Sequence, residues 1–136
     1  MALLAWDSSK YSVGVKSIDA QHSVLFGLIN DLHAAMVSGQ GQRIAGPLLQ
    51  KLIDYTQTHF TAEEAMMAAA RYPALAEHQV KHHDLIKQVN DFKSRFDRGE
   101  IGLTPDLMVF LRDWLTNHIQ KVDHEYSPWL SQNGVH

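Results

Sequence analysis

Four long segments with helical periodicity, separated by short turns rich in glycine or proline, constrain the fold of this chain more than any other feature. In the first segment the apolar residues follow i, i+3, i+4 and i+7 spacing. These residues are Leu25, Phe26, Ile29, Leu32 and Met36. Helices of this length joined by short loops predict an all-α fold, an antiparallel up-down-up-down four-helix bundle. The predicted helices run from the N-cap Asp19 to Val37, from about 43 to 70, from 73 to about 98, and from 105 toward Tyr126, ahead of Pro128.

The helix boundaries rest on residues with known backbone preferences. Ser38–Gln42 contains two glycines and is predicted to be a turn. Pro73 suits the first turn of the third helix, and Gly99 suits the position after its end. Thr104 is predicted to cap the fourth helix, with Pro105 as its first residue.

Length and composition set the broad class. The chain has 136 residues, which predicts a single domain over 1–136, with an extended N-terminal arm at 1–18 and the bundle at about 19–127. A formal net charge of −3 gives no basic surface for nucleic acid, and the absence of cysteine excludes disulfides and thiolate metal sites. No apolar run is long enough for a membrane span or a signal peptide. We therefore expect a cytoplasmic protein without membrane insertion, most simply a monomer.

Histidine is the one residue type in clear excess, with nine copies. Taken singly, a histidine beside an apolar stripe is better explained as an ordinary core residue than as a ligand. Several such histidines buried in one bundle core would need partners, because unpaired buried polar groups are costly, and a metal ion supplies them. Five histidines fall on the inward sides of the four predicted helices: His22, His59, His78, His82 and His118.

Two carboxylates are candidates to join these histidines. Glu63 follows His59 by four residues, which places the two about 40° apart on one helix face. Glu64 lies about 140° from His59 and is predicted to be solvated or to support a ligand from outside the site. Asp123 follows His118 by five residues, a spacing that does not share one face of a regular α-helix. Periodicity alone therefore does not select Asp123.

The number of candidate ligands points to two metal ions. Five imidazoles and two carboxylates exceed a tetrahedral zinc site. If both carboxylates and one solvent oxygen bridge two six-coordinate ions, the histidines divide three and two, and one ion keeps an open position. Nitrogen and carboxylate ligands in octahedral geometry favour iron. The chain lacks the Glu-x-x-His pairs of ferritin-like oxidases. Nitrogen-rich ligation favours reversible binding over oxidation, so we expect a binding protein that is not an enzyme.

Four stretches of this chain carry a family resemblance. They are "VGVKSIDAQHSVLFGLIN" (Val13–Asn30), "HFTAEEAMM" (His59–Met67), "YPALAEHQVKH" (Tyr72–His82) and "WLTNHIQKVD" (Trp114–Asp123). In sequence and in order they resemble the hemerythrins, specifically the single-domain bacterial members.

The resemblance implies a non-haem di-iron centre with a bridging oxo or hydroxo group that binds O2 reversibly, as hydroperoxide, at one open coordination site. It assigns His78, His82 and His118 to one iron, His22 and His59 to the other, and Glu63 and Asp123 to both. It also implies an O2 pocket lined by Phe60, Trp114, Leu115 and Ile119.

The biological task remains open at this level. An oxygen carrier or store, which could deliver O2 to an oxidase partner, is favoured. The alternatives are a sensor of O2, nitric oxide or redox state, and a protein that handles peroxide, nitric oxide or stored iron. Nitric oxide, azide and other small anions are further candidate ligands. The remaining histidines are expected at the surface or behind the ligands: His33, His83, His124 and His136.

Overall fold

A computed structural model of the protein describes residues 4–39, 42–100 and 105–136; the side chains at 42, 43, 106, 121 and 122 are outside this description. Throughout these residues the regular structure is helical. A π-helical segment joins the last two helices without a break. The elements are α1 (Ser8–Tyr11), α2 (Lys16–Val37), α3 (Gln42–Ala69), α4 (Leu75–Asp97), α5 (Pro105–Asn117), the π-helical segment (His118–Asp123) and α6 (His124–Gln132).

The four long helical units form the predicted bundle. Helix α3 packs against both α2 and α4, and α5 packs against α2, so that the continuous α5–π–α6 unit supplies the fourth member. The predicted all-α, antiparallel four-helix architecture is confirmed. Among the helices of the described residues, none is both long and apolar enough to cross a membrane.

The apolar interior has two parts. The larger part contains buried residues of α2, α3, α4 and α5, including Leu32, Leu52 and Leu111. The smaller part lies under the N-terminal arm and consists of Val13, Val15, Ile18, Met67, Tyr126 and Leu130. Both parts adjoin the buried polar residues described below, through Leu115 of the larger part and Tyr126 of the smaller part.

The N-terminal arm differs from its prediction. It contains the short helix α1, capped by the Asp7 carboxylate, which accepts a hydrogen bond from the Ser9 amide at 3.0 Å. Helix α2 begins at Lys16, so the prediction of Asp19 as its N-cap was wrong. The Asp19 carboxylate instead accepts hydrogen bonds from the Val13 amide at 2.9 Å and from a serine hydroxyl, and thereby fastens the arm to the helix.

The other helix boundaries follow the turn chemistry, with one exception. Gly99 follows α4 with φ of 75°, a left-handed conformation that glycine adopts easily, and Pro105 is the first residue of α5. Pro73 precedes α4, which begins at Leu75, instead of lying within its first turn. The proposed cap Thr104, like Gln40 and Gly41 of the predicted turn, lies outside the described residues.

The fourth helical unit does not end before Pro128, as predicted, but continues to Gln132. Proline lacks an amide hydrogen, so one helical hydrogen bond is lost there. Burial of Tyr126 and Leu130, together with a hydrogen bond from Trp129 Nε1 to the Ala70 carbonyl at 2.7 Å, holds this last helix against the bundle. Tertiary packing therefore overrides the local preference of proline.

Candidate metal centre

Seven buried polar side chains converge inside the bundle. The structure brings together all seven residues that the sequence analysis named, and each is at most 6% exposed. Thr56 is buried as well, and its hydroxyl donates to the Leu52 carbonyl at 2.7 Å. The seven are His22, His59, Glu63, His78, His82, His118 and Asp123.

The side chains form two overlapping groups. Within each group, one nitrogen or oxygen atom per residue lies within 4.8 Å of every other. Both groups contain Glu63 and Asp123, so the two carboxylates stand between three histidines on one side and two on the other. The first group adds His78, His82 and His118, and the second adds His22 and His59.

Each carboxylate turns one oxygen toward each group. Glu63 Oε2 lies 3.5 and 3.4 Å from Nε2 of His22 and His59. Glu63 Oε1 lies 3.7 and 3.1 Å from Nε2 of His78 and His82. This is the arrangement of a carboxylate that can bridge two cations.

Asp123, at the end of the π-helical segment, also turns one oxygen toward each group. Its Oδ2 lies 3.2 Å from His22 Nε2, whereas its Oδ1 lies 3.2 Å from His78 Nε2 and 2.9 Å from His118 Nε2. Each carboxylate therefore has one oxygen facing each group of histidines.

The donor atoms fit a metal centre better than they fit one another. All five histidine Nε2 atoms, Glu63 Oε1 and both Asp123 oxygens are buried and have no hydrogen-bond partner among the described residues. Such unpaired atoms are costly unless something else satisfies them. Two ligand atoms at right angles around one ion, each about 2.1 Å away, lie roughly 3 Å apart, close to the distances above. The site can therefore hold metal.

The charges of the cluster lead to the same conclusion. Burial alone would lower the pKa of His22, but the carboxylates of Asp123 and Glu63 outweigh it and raise that pKa to about 9. The pKa of His78 rises to about 9 for the same reason. Conversely, burial would raise the pKa values of Glu63 and Asp123, but the facing histidines hold both below the usual range. The carboxylates thus attract positive charge, which a metal cation also supplies.

The π-helical segment explains the position of Asp123. In a π-helix the hydrogen bonds run between residues five apart, so such residues align as residues four apart do in an α-helix. His118 and Asp123, the first and last residues of the segment, consequently face the same way. The regular helical step used in the sequence analysis could not reveal this.

Two of the histidines are held from behind by hydrogen bonds. His59 Nδ1 donates to Gln21 Oε1 at 2.6 Å, and His82 Nδ1 donates to Glu64 Oε2 at 2.9 Å. A histidine ring that carries its proton on Nδ1 leaves the lone pair of Nε2 available to bind a metal ion. Glu64 therefore supports a candidate ligand from outside the site, one of the two roles that the sequence predicted for it.

Tyr126 is a contact that the sequence analysis missed. Its hydroxyl donates to Glu63 Oε2 at 2.6 Å. Burial, followed by the charges of Asp123 and Glu63, raises the pKa of Tyr126 well above its ordinary value, so the hydroxyl stays protonated as a donor. Its position one helical turn after Asp123 is the pattern that could have revealed it.

Comparison with known proteins agrees with this geometry. The model of the hemerythrin HHE cation binding domain matches residues 13–130. The chain belongs to the hemerythrin family. It is 38% identical over 131 residues to the bacteriohemerythrin of Methylococcus capsulatus (Bath), covering 96% of this chain and 99% of that relative.

More distant relatives and solved structures extend the match. The chain is 36% identical over 122 residues to myohemerythrin-1 of Phascolopsis gouldii, and the match covers 89% of each chain. It resembles the crystal structure of a wild-type hemerythrin with a TM-score of 0.89 and 37% identity, over 96% of this chain and 99% of the other. The likeness to hemerythrins therefore includes both sequence and fold.

A small cavity adjoins the two-histidine side of this hemerythrin site. The space open to the centre of a water molecule is about 10 Å³, close to the volume needed for one water. Of the predicted pocket residues, Phe60, Trp114 and Leu115 line it, whereas Ile119 is buried in the apolar core and is not part of its wall. The full lining is His22, Leu25, Thr56, His59, Phe60, Leu85, Trp114, Leu115 and His118.

Three lining residues escaped the sequence analysis. Leu25 and Leu85 each follow a predicted histidine ligand by three residues, and Thr56 precedes His59 by three. Residues three apart are neighbours on a helix face, so this spacing could have identified them.

The remaining four histidines stay out of both groups. His83 and His136 are exposed, and His33 and His124 are half-buried. None of them belongs to the two groups of potential metal ligands found among the described residues.

Proposed function

We propose that this protein binds O2 reversibly at a carboxylate-bridged di-iron centre. In this proposal Glu63 and Asp123, which belong to both groups of potential ligands, would hold both ions together with an oxygen ligand from solvent. Their geometry supports this role because each carboxylate directs one oxygen to each group of histidines. His78, His82 and His118 complete the site of one ion, and His22 and His59 complete the site of the other.

The donor set supports iron as the metal. Imidazole and carboxylate ligands in a site large enough for six-coordination suit iron, whereas magnesium and calcium prefer all-oxygen ligands. When bound, the iron pair supplies the electrons that reversible binding of O2 requires. The protein supplies the positions, the enclosure and the charge balance.

The observation that carries the proposal is the cavity beside His22 and His59. Those two histidines line the cavity and belong to the group with fewer nitrogen donors, so a six-coordinate ion held there would keep a position for a further ligand. The cavity accommodates only a molecule of a few atoms. O2 is of that size, as are nitric oxide and azide, which we propose as competing ligands.

The cavity wall favours an apolar guest over water. Apart from the histidines, its polar atoms belong to Thr56 and Trp114, and the Thr56 hydroxyl is already committed to the Leu52 carbonyl. The rest of the wall is apolar and is formed by Leu25, Phe60, Leu85 and Leu115. Such a wall limits the access of water to a bound molecule and so supports reversible binding, because side reactions of the bound species with water are suppressed.

Iron analysis and spectroscopy test the proposal. Protein purified in air should contain about two irons per chain and show a visible charge-transfer band that disappears on removal of oxygen and returns on its addition. As a matched pair, His59→Ala should lose this band, whereas His83→Ala, which alters an exposed histidine, should keep it. One iron per chain, zinc in its place, or a band insensitive to oxygen would contradict the proposal.

A further inference from the structure

The two groups of histidines are supported by side chains of different charge. Behind His82 stands the carboxylate of Glu64, and behind His59 stands the neutral amide of Gln21. We propose that Glu64 is a positioning residue that makes His82 Nε2 a stronger electron-pair donor to a metal than His59 Nε2. The ion in the three-histidine group is then held more tightly than the ion in the two-histidine group. This inference rests on the proposed function, since it takes both histidines as metal ligands.

The contacts of His82 define its orientation from two directions. Its Nδ1 donates to Glu64 Oε2 at 2.9 Å, and its ring stacks on Phe60 with centroids 3.7 Å apart and an angle of 2° between planes. The His82 side chain is 3% exposed and that of Glu64 is 26% exposed. The carboxylate is therefore partly shielded from water, and its charge acts on the ring with little screening.

The chemistry of the hydrogen bond gives the direction of the effect. A hydrogen bond from a neutral N–H to a carboxylate is roughly twice as strong as one to an amide oxygen. It draws the Nδ1 proton away from the ring and leaves more electron density at Nε2, the atom that faces the carboxylates of the site. His59 receives the same orientation from Gln21 at 2.6 Å but no negative charge.

The inequivalence agrees with the distribution of ligands. The group with three histidines carries the charged supporting residue, and the group with two histidines, both of which line the cavity, carries the neutral one. The structure therefore assigns the firmer hold to the ion in the three-histidine group and leaves the ion in the two-histidine group the more electron-poor of the two.

The test compares Glu64→Gln with a matched control, Glu77→Gln, in protein loaded with Co²⁺. The first substitution keeps an acceptor oxygen for His82 Nδ1 and removes the charge. The control substitution removes the same charge from Glu77, which is exposed and directly precedes the candidate ligand His78. Release of Co²⁺ to a chelator should be biphasic, and Glu64→Gln should accelerate the slow phase about 10-fold, at the lower end of the effects of such supporting residues. Glu77→Gln should leave both phases unchanged.

The reciprocal substitution and a redox measurement test whether Glu64 acts through its charge or only by orienting His82. Gln21→Glu should slow the fast phase of release. In iron-loaded protein, where dithionite delivers one electron to each ferric ion, Glu64→Gln should raise the reduction potential of one ion, by about 59 mV for each tenfold change in relative affinity. A residue that only orients His82 would show no such shift, because glutamine preserves the acceptor.

The outcomes are decisive for the role of Glu64. Unchanged slow release and unchanged potential in Glu64→Gln would overturn the inference, as would equal effects in Glu77→Gln. If wild-type protein retains two cobalt ions but its iron form does not bind O2, the proposed function fails, while the release phases still decide the role of Glu64.

Discussion

Glu63 and Asp123 each direct one oxygen to each group of histidines, but they reach this arrangement by different structural means. Glu63 extends from the regular helix α3, four residues after His59, and its long side chain is fixed by the Tyr126 hydroxyl. Asp123 has a shorter side chain, ends a π-helical segment, and its carboxylate oxygens have no hydrogen-bond partner among the described residues. One carboxylate is placed by its side chain, and the other by its backbone.

The difference shows what each solution requires. A regular helix places a partner four residues away without any change in its backbone, so the surrounding contacts orient the carboxylate. The π-helical segment contains one residue more than the corresponding turn of an α-helix, and this extra residue brings Asp123 beneath His118. The position of Asp123 therefore depends on the number of residues in the π-helical segment.

The largest expected effect is the loss of both ions when either carboxylate is removed. Glu63→Ala and Asp123→Ala each delete an oxygen donor from both groups and leave buried histidines without their counter-charge. We expect metal content to fall from two ions per chain to near zero in both variants, measured by elemental analysis after purification. Glu125→Ala, which removes an exposed carboxylate, is the control and should retain the metal. Retention of two ions in either bridging variant would refute the shared-ligand arrangement.

Changes in the length of the π-helical segment test whether the backbone sets the position of Asp123. Gln120 is exposed, so its deletion removes no buried contact and should convert the segment to α-helix with His118 and Asp123 still on one face. We expect this variant to keep its metal. Insertion of one alanine after Gln120 should rotate Asp123 by about 100° and abolish metal binding. If the insertion is tolerated and the deletion is not, the segment does not set the register of Asp123.

The pH dependence of the metal-free protein tests whether both carboxylates act on the histidines. The pKa values of His22 and His78 rise from 6.5 to about 9 in the folded protein. A raised pKa means that the folded state binds more protons than the unfolded state between these values. The resulting stability is complete below pH 6.5 and is lost as the pH rises through 9.

Urea unfolding of metal-free protein measures this loss. Its unfolding free energy should fall between pH 6.5 and 9, by at most about 1.4 kcal/mol per pH unit for each of the two histidines. Metal-loaded protein should not show the fall, because ligation prevents protonation of Nε2. Equal or greater stability of the metal-free protein at the higher pH would disprove the coupling.

The smallest expected effect concerns the support of Glu63 alone. Tyr126→Phe removes the hydroxyl that donates to Glu63 Oε2 and preserves the buried ring. A hydrogen bond to a charged group contributes about 1.5–3 kcal/mol, which is the expected loss of unfolding free energy. Both ions should remain, because Asp123 needs no such support. No change in the denaturation midpoint would show that the hydroxyl does not hold Glu63.

Regular periodicity accounts for much of the site. Glu63 is placed with His59, and His82 with His78, because both pairs have the four-residue spacing of an α-helix. Asp123 required the family resemblance, since a change from α- to π-helical geometry is not visible in apolar spacing. Gln21 could not be selected either, because its role depends on a contact across two helices, 38 residues apart in sequence.

The fold shows the same division. Long amphipathic segments predict the bundle, because each must bury an apolar face against its neighbours. The ends of the helices depend on local competition. Asp19 caps the preceding arm instead of the helix, and the packing of Leu130 carries α6 past Pro128. Such outcomes depend on tertiary contacts that a local pattern does not contain.

Anomalous diffraction at the iron absorption edge tests the central claim most directly. We expect two iron peaks per chain, one beside His22 and His59 and one beside His78, His82 and His118, with Glu63 and Asp123 each contacting both. A single peak, or two peaks that do not share these carboxylates, would contradict it.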